Sequence, residues 1–192
     1  MLRKTGTALL FPTRVVTYAL DAAPLDAAIR ALVLERSRTV PSVPRGERTG
    51  WQSGNDFFQW TAETRALSKL IADAVMSAHD APLEEIALFG WANLFTRGVF
   101  FNPHTHADAA WSGVYYVDAG ESGAAAGGVL MLGDPRAGAG MVLGASNRFD
   151  SPTAVEIPPR TGELLIFPSW LVHWVTPYQS DTPRISVSFN AR

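Results

Sequence analysis

The chain has 192 residues, a formal net charge of −2 and no cysteine. Its length and ordinary mixture of apolar and charged residues predict one globular domain, residues 1–192, with a sizeable core. The near-neutral charge gives no electrostatic case for nucleic acid or an anionic membrane as a partner, and the lack of cysteine excludes disulfides and thiolate metal sites.

Residues 1–85 are predicted to form a supporting region of strands and helices. Residues 1–12 carry a basic patch followed by an apolar patch that is too short for a secretory leader, and they are predicted to be a strand. A second strand is predicted at residues 15–20. No apolar run is long enough to span a bilayer, and the lack of cysteine makes a cytoplasmic location the default expectation.

Two amphipathic helices are predicted next, and they are expected to cover one face of a sheet. Apolar residues recur at helical spacing over residues 24–37, with Asp21 as the predicted cap. Thr61 is the predicted cap of a second helix over residues 62–79. The apolar stripe of this second helix comprises Leu67, Leu70, Ile71, Ala74 and Val75.

Between these helices, residues 38–54 are rich in proline, glycine, serine and arginine, and they are predicted to be a loop. Loops over the mouth of a barrel often carry substrate contacts, so a substrate determinant is expected in this loop. A solvated connector is the alternative interpretation.

From residue 86 onward the chain consists of short apolar stretches separated by glycine and proline. This pattern is typical of an antiparallel sandwich or jelly roll. The predicted strands lie at residues 86–95, 98–106, 112–118, 128–133, 141–143, 153–157, 163–167, 172–176 and 183–189.

Three of the four histidines fall in two segments of this region. His104 and His106 are separated by one residue, so in an extended strand their side chains point to the same face. His173, on a distant strand, can close a site with them if the sheet curls. Such a cluster indicates a non-haem iron site with positions left open for substrate and oxygen. The fourth, His79, lies near the end of the second predicted helix, where a structural role is favoured.

Arg184 follows His173 by eleven residues and lies in a predicted strand. Arg184, Ser186 and Ser188 share one face of this strand by strict alternation. A guanidinium beside a hydroxyl is well suited to binding a small carboxylate. The alternative is a solvated arginine on an exposed sheet face.

Taken together, four motifs in this region are specific, although each alone is weak. They are H-x-H, SGVYY, GxLLxFPSWLxHxVxP and RxSxSFN. Over residues 88–190 they resemble the 2-oxoglutarate/iron(II) oxygenase family of bacteria and phages, within the 2-oxoglutarate dioxygenase superfamily. The match at Trp51-Gln52-Ser53 is fainter.

The resemblance implies a mainly β fold with flanking helices (α+β). The core over residues 86–190 is then a double-stranded β-helix, which is a cupin-like jelly-roll barrel, with the two N-terminal helices packed on its sheet. Iron(II) and the cosubstrate 2-oxoglutarate are the implied cofactors. Arg184 and Tyr116 are the implied partners of the C5 carboxylate, with Ser186 on the same face as Arg184. Asn102 shares a face with His104 and His106, so it is expected to orient a ligand or the 1-carboxylate of the cosubstrate, and satisfying a turn is the alternative.

His104, His106 and His173 are the favoured metal ligands. The spacing from Gly98 to His104 is similar to that of prolyl-hydroxylase-like relatives, where the ligand pair starts at the histidine after proline. On this register His106 occupies the place of the carboxylate in the usual His-x-Asp/Glu…His triad. Asp108 lies two residues after His106 and is held as the reserve ligand, either bound directly or oriented behind the ligands.

The resulting hypothesis is an iron(II)- and 2-oxoglutarate-dependent dioxygenase that uses O2 and releases succinate and CO2. Hydroxylation of a small-molecule or amino-acid-like substrate is the default outcome, and halogenation, desaturation and cyclisation use the same machinery. Two other hypotheses stay open. One is a three-histidine cupin-type oxygenase that does not use 2-oxoglutarate, and the other is a non-catalytic anion-binding barrel.

Overall fold

The computed structural model describes residues 3, 6, 11–44, 50–79, 86–121, 125–136 and 154–192. The helices are α1 (Ala23–Thr39) and α2 (Ala62–Ala78), with a 3-10 turn at Phe57–Gln59 before α2. The strands are β1 (Val16–Ala19), β2 (Trp51–Gln52), β3 (Leu88–Phe95), β4 (Phe101–His104), β5 (Trp111–Asp118), β6 (Leu130–Gly133), β7 (Ala154–Ile157), β8 (Glu163–Pro168), β9 (His173–Val175) and β10 (Arg184–Ala191).

The strands form two antiparallel sheets. The large sheet has the order β1-β8-β5-β10-β3-β2, and the small sheet has the order β4-β9-β6-β7. From β3 to β10 the chain passes back and forth between the two sheets, which is the winding of a jelly roll. The predicted fold class is therefore confirmed. The two sheets are stacked, and the hydrogen-bonded ladders of the named strands run within each sheet.

Each face of the large sheet carries a separate apolar cluster. On the outer face, α1 and α2 pack against the strands through fully buried residues such as Ile29, Leu67 and Ile71. On the inner face, side chains such as Tyr116 pack against small-sheet residues such as Leu132. The inner cluster leaves room for a cavity between the sheets.

The start of α2 follows the prediction, whereas the start of α1 does not. At α2, Thr61 Oγ1 accepts a hydrogen bond from the Thr64 amide, and the Thr64 hydroxyl accepts one from the Thr61 amide. At α1 the cap is Ala22 and not Asp21, and no side chain caps the helix. Pro24 in the first turn explains how α1 starts without a cap, because its ring presets a helical φ and removes one unpaired amide donor.

Most predicted elements match the structure to within a few residues. Three details of the N-terminal region were wrong, at Asp21, Leu70 and β2. Leu70 in α2 is 42% exposed and lies outside the buried stripe, and β2 lies inside the predicted loop. The predicted strands at residues 1–12 and 141–143 lie outside the described residues, apart from residues 3, 6, 11 and 12. Neither described helix has the length and apolar character that crossing a membrane requires.

Candidate active site

Three imidazoles come together at one end of the small sheet. His104 ends β4, His173 begins β9, and the two are register partners in the ladder between these strands. His106 follows two residues after His104. Ligand atoms of all three lie within 4.8 Å of one another. Two nitrogens bound to one ion at about 2 Å each are up to roughly 4 Å apart, so small side-chain adjustments would let the three share one ion.

Backbone carbonyls orient two of these rings. His104 Nδ1 lies 2.7 Å from the carbonyl oxygen of Asn102, and His173 Nδ1 lies 2.8 Å from that of Leu171. A carbonyl can only accept, so each Nδ1 must carry the proton and each Nε2 keeps its lone pair for a metal. Asn102 therefore orients His104 through its main chain, whereas the sequence suggested its side chain.

His173 is the most enclosed of the three. Burial, together with the two neighbouring histidines, lowers the pKa of His173 to about 4, although its hydrogen bond to Leu171 opposes the shift. The ring is therefore neutral at physiological pH, which is the form that binds a metal ion.

Asp108, the reserve ligand, lies away from the cluster. Its side chain is 88% exposed, and its carboxylate is 3.7 Å from the Arg192 guanidinium. Among the described residues, the group able to hold a metal consists of the three histidines without a carboxylate. Imidazole nitrogen is a suitable ligand for iron, although the usual facial triad contains one carboxylate.

A cavity of about 320 Å³ lies between the sheets, next to the imidazoles. Its volume is in the range of small-molecule sites. Apart from the reserve ligand Asp108, every residue that the sequence assigned to the site contributes to its wall, namely His104, His106, His173, Asn102, Tyr116, Arg184 and Ser186.

Arg184 supplies a buried positive charge to this cavity. The residue is 1% exposed, and its Nε and Nη1 atoms have no hydrogen-bond partner. The guanidinium lies 4.6 Å from the ring centre of Phe95 and 5.1 Å from that of Tyr116. Burial lowers the pKa of Arg184, but a guanidinium remains charged. A buried charge without a counter-ion is costly, so the site is prepared for an anion.

The Tyr116 hydroxyl adds a neutral donor beside this charge. It is buried and makes no hydrogen bond in the described part of the chain. Burial raises the pKa of Tyr116, and the nearby Arg184 only partly opposes this, so the phenol keeps its proton. A guanidinium with a phenol hydroxyl beside it is an arrangement that can bind a carboxylate.

The sequence profile of the family described as "Putative 2OG-Fe(II) oxygenase" matches residues 90–190. The chain belongs to this oxygenase family. The match includes all three histidines, Tyr116 and Arg184, and it confirms the family resemblance. The protein is thus an iron(II)- and 2-oxoglutarate-dependent oxygenase. The curated protein sequences contain no match to the chain.

Solved structures share the oxygenase fold over most of the chain. A prolyl-4-hydroxylase from Pseudomonas putida has 21% identity and a TM-score of 0.67, over 93% of this chain and 91% of its own. The non-haem alpha-ketoglutarate-dependent epimerase SnoN of nogalamycin biosynthesis has 18% identity and a TM-score of 0.69, over 93% and 77%. HygX from Streptomyces hygroscopicus, solved with nickel and 2-oxoglutarate bound, has 12% identity and a TM-score of 0.65, over 93% and 82%. At these identities the likeness shows the fold.

The oxygenase cavity has a second polar group that sequence reasoning missed. Gln52 Nε2 donates to Asn93 Oδ1 at 2.6 Å, and Asn93 Nδ2 donates to Ser188 Oγ at 3.0 Å. Gln52 and Ser188 both line the cavity. The faint family match at Trp51-Gln52-Ser53 was the one signal in the sequence that pointed to this group.

Proposed function

We propose that this oxygenase hydroxylates a C–H bond of a small-molecule substrate. In this proposal His104, His106 and His173 hold iron(II), and Arg184 holds the far carboxylate of 2-oxoglutarate. The observation that carries the proposal is the presence, in one cavity, of three convergent imidazoles and a buried guanidinium without a counter-ion.

The residues present fit an iron ion. His104 and His173 each have Nδ1 committed to a carbonyl and Nε2 free, and His173 is held neutral by burial. With O2, iron(II) and 2-oxoglutarate supply the oxidation of a substrate C–H bond, and the cosubstrate leaves as succinate and CO2. The chain's own contribution is to hold the ligand nitrogens in place and to enclose the reacting groups.

The opposite wall fits a dicarboxylate. Arg184 offers unpaired Nε and Nη1 donors, and the Tyr116 hydroxyl offers a third donor beside them. One carboxylate of 2-oxoglutarate would neutralise the buried charge, and Ser186 on the same strand face lies in the same cavity wall. The 2-oxo acid end would then face the histidines.

The solved relatives support the cosubstrate more directly than they support the outcome. HygX binds 2-oxoglutarate, whereas a prolyl-4-hydroxylase and an epimerase show that one fold serves different reactions. We favour hydroxylation because it asks for no group beyond those already in the cavity. The partners are then O2 and a small molecule.

The test is an anaerobic titration of the metal-free protein with iron(II) and then with 2-oxoglutarate. A weak visible charge-transfer band should appear only when both are present, and Arg184→Ala should weaken it. Iron binding without any response to 2-oxoglutarate would instead favour the three-histidine oxygenase that does not use this cosubstrate. Anion binding that is indifferent to metal would favour a non-catalytic barrel.

The metal ligands are tested by replacing single histidines. His173→Ala should weaken iron(II) binding by more than about tenfold and abolish succinate formation, because one of three ligands is lost. The matched control is His79→Ala, since His79 is the C-terminal cap residue after α2 and packs against Trp111 outside the cluster. Equal iron affinity in the two variants, measured by calorimetry, would contradict the assignment.

His106 allows a second test of the unusual ligand set. His106→Asp would restore the common two-histidine, one-carboxylate set and should keep iron(II) binding, whereas His106→Ala should lose it. If both variants bind iron as the natural protein does, His106 is not a ligand.

A further inference from the structure

We infer that Gln52 binds the prime substrate through its side-chain carbonyl oxygen, and that the substrate group bound there is a neutral N–H or O–H donor. This inference rests on the proposed function, because it assigns a substrate contact within the same cavity. It names a specificity-determining residue and the chemical class of group that the residue selects.

The position of Gln52 places it beside the cosubstrate wall. Gln52 on β2 pairs with Asn93 on β3, and Asn93 pairs with Ser186 on β10. The next inward-facing pair along β3 and β10 is Trp91 with Ser188. The Trp91 ring centre lies 5.9 Å from that of His106. Gln52 therefore borders the space between the guanidinium and the imidazoles from the β2 side of the sheet.

The orientation of the amide follows from a chain of hydrogen bonds. Gln52 Nε2 donates to Asn93 Oδ1. The Asn93 amide in turn donates to Ser188 Oγ and, at 3.5 Å, to the backbone carbonyl oxygen of Ser186, which can only accept. This leaves Gln52 Oε1 buried and without a hydrogen-bond partner, in a residue that is 3% exposed. A buried carbonyl oxygen without a donor is costly, so its presence in a cavity wall points to a ligand that supplies the donor.

The cosubstrate cannot supply this donor. As a dianion, 2-oxoglutarate carries only acceptor oxygens, and an acceptor facing Gln52 Oε1 would be repelled. The donor must therefore belong to another molecule, and the prime substrate is a ligand of this cavity that can carry one.

The charge around the cavity favours a neutral donor over an ammonium. Among the described residues, the lining contains no aspartate, glutamate or lysine, and Arg184 already supplies a positive charge. With iron(II), the 2-oxoglutarate dianion and Arg184 in place, the site carries one net positive charge, so an ammonium would add a second without a carboxylate to neutralise it, at a high desolvation cost. The apolar rings of Trp91, Phe100 and Phe101 complete the same lining.

Amide N–H and hydroxyl groups both meet this description, so the probes are matched pairs that separate the sources. The first pair is an N-acetyl amino-acid N-methylamide and the same N-methylamide with a free amine, taken through a series of side chains. The second pair is N-acetylglucosamine and glucosamine. In each pair the neutral and the ammonium member differ at one nitrogen.

Binding of each probe is measured anaerobically on the protein loaded with iron(II) and 2-oxoglutarate, by calorimetry and by the change in the visible band. The neutral member of at least one pair should bind about tenfold or more tightly than its ammonium counterpart. Gln52→Leu should weaken that neutral probe by about tenfold or more, because a polar site discriminates strongly by its hydrogen bonds. Gln59→Leu is the matched control, since Gln59 is exposed outside the cavity.

Gln52→Glu provides a nearly isosteric second variant that guards against a folding defect. Its carboxylate should reverse the preference, so that the ammonium member of the pair now binds more tightly. The inference is overturned if no neutral probe binds the natural protein, if both members of each pair bind equally, or if Gln52→Leu binds as the natural protein does. Failure of the band to form with iron(II) and 2-oxoglutarate in the natural protein would instead count against the proposed function.

Discussion

On the two faces of the large sheet, neighbouring tyrosines differ in whether their hydroxyl groups are hydrogen-bonded. On the outer face, the Tyr115 hydroxyl donates to Asp26 Oδ1 at 2.6 Å, under a cover of helices. On the inner face, Tyr116 is equally buried but its hydroxyl has no hydrogen-bond partner, beside the unpaired donors of Arg184. The polar pair of the outer face is thus satisfied within the protein, whereas these polar groups of the inner face have no partner among the described residues.

Arg184→Met should break this contrast most strongly. Loss of the cation should weaken 2-oxoglutarate binding by roughly 100-fold, because the carboxylate would have no charged partner in a buried site. The ligand-free variant should nevertheless unfold at the same temperature or higher, since the replacement removes a buried charge without a counter-ion. Calorimetric titration and thermal unfolding check the two parts. A large drop in the melting temperature would mean that Arg184 serves the fold.

Leu67→Ala probes the outer face, where stability should be concentrated. Leu67 is fully buried in α2, so its truncation should lower the free energy of unfolding by about 2–5 kcal/mol. Leu70→Ala, in the same helix but exposed, should change it by less than about 0.5 kcal/mol. Denaturant unfolding measures both. Equal losses would contradict the burial pattern of α2.

The tyrosine pair offers the most direct comparison. Tyr115→Phe should lower the free energy of unfolding by about 1–3 kcal/mol, because it leaves the buried Asp26 carboxyl without its donor. Tyr116→Phe should leave stability unchanged and weaken 2-oxoglutarate binding about 3- to 10-fold. Urea unfolding and cosubstrate titration of both variants check this. If the two variants lose the same amount of stability and the same affinity for 2-oxoglutarate, the two faces do not differ in the way described.

The smallest effect is expected in the pH dependence of stability through Asp26. Burial raises the pKa of Asp26 above its ordinary value of 3.8, although the Tyr115 hydrogen bond opposes this. The folded state thus binds the proton more tightly, and the stability present below pH 3.8 is lost as pH rises through the folded pKa. Asp26→Asn should therefore gain stability relative to the natural protein between pH 4 and pH 7. A constant difference in unfolding free energy across this range would rule the effect out.

The strands of the second half could be predicted because each lies between glycine or proline signals and carries a recognisable motif. The face shared by Arg184, Ser186 and Ser188 also followed from alternation alone. β2 could not be predicted in this way. A two-residue strand has no periodicity of its own, and Trp51 and Gln52 are extended because they pair with Leu94 and Asn93 of β3.

Convergence of the histidines was a hypothesis that only tertiary structure could examine. The sequence placed His104 and His173 on separate strands, but their proximity depends on the β4–β9 register. The groups that orient the imidazoles could not be predicted either, because the carbonyls of Asn102 and Leu171 belong to the backbone and carry no sequence signal.

The pairing of His104 with His173 links the proposed iron site to the stability of the small sheet. β4 is the edge of the small sheet, and its ladder with β9 has only two partner pairs with a register shift between them. An ion bound by both imidazoles would cross-link β4 and β9 and stabilise this short ladder for as long as the ion is bound. Loss of iron would then remove the catalytic metal and, at the same position, weaken the pairing of β4 with β9.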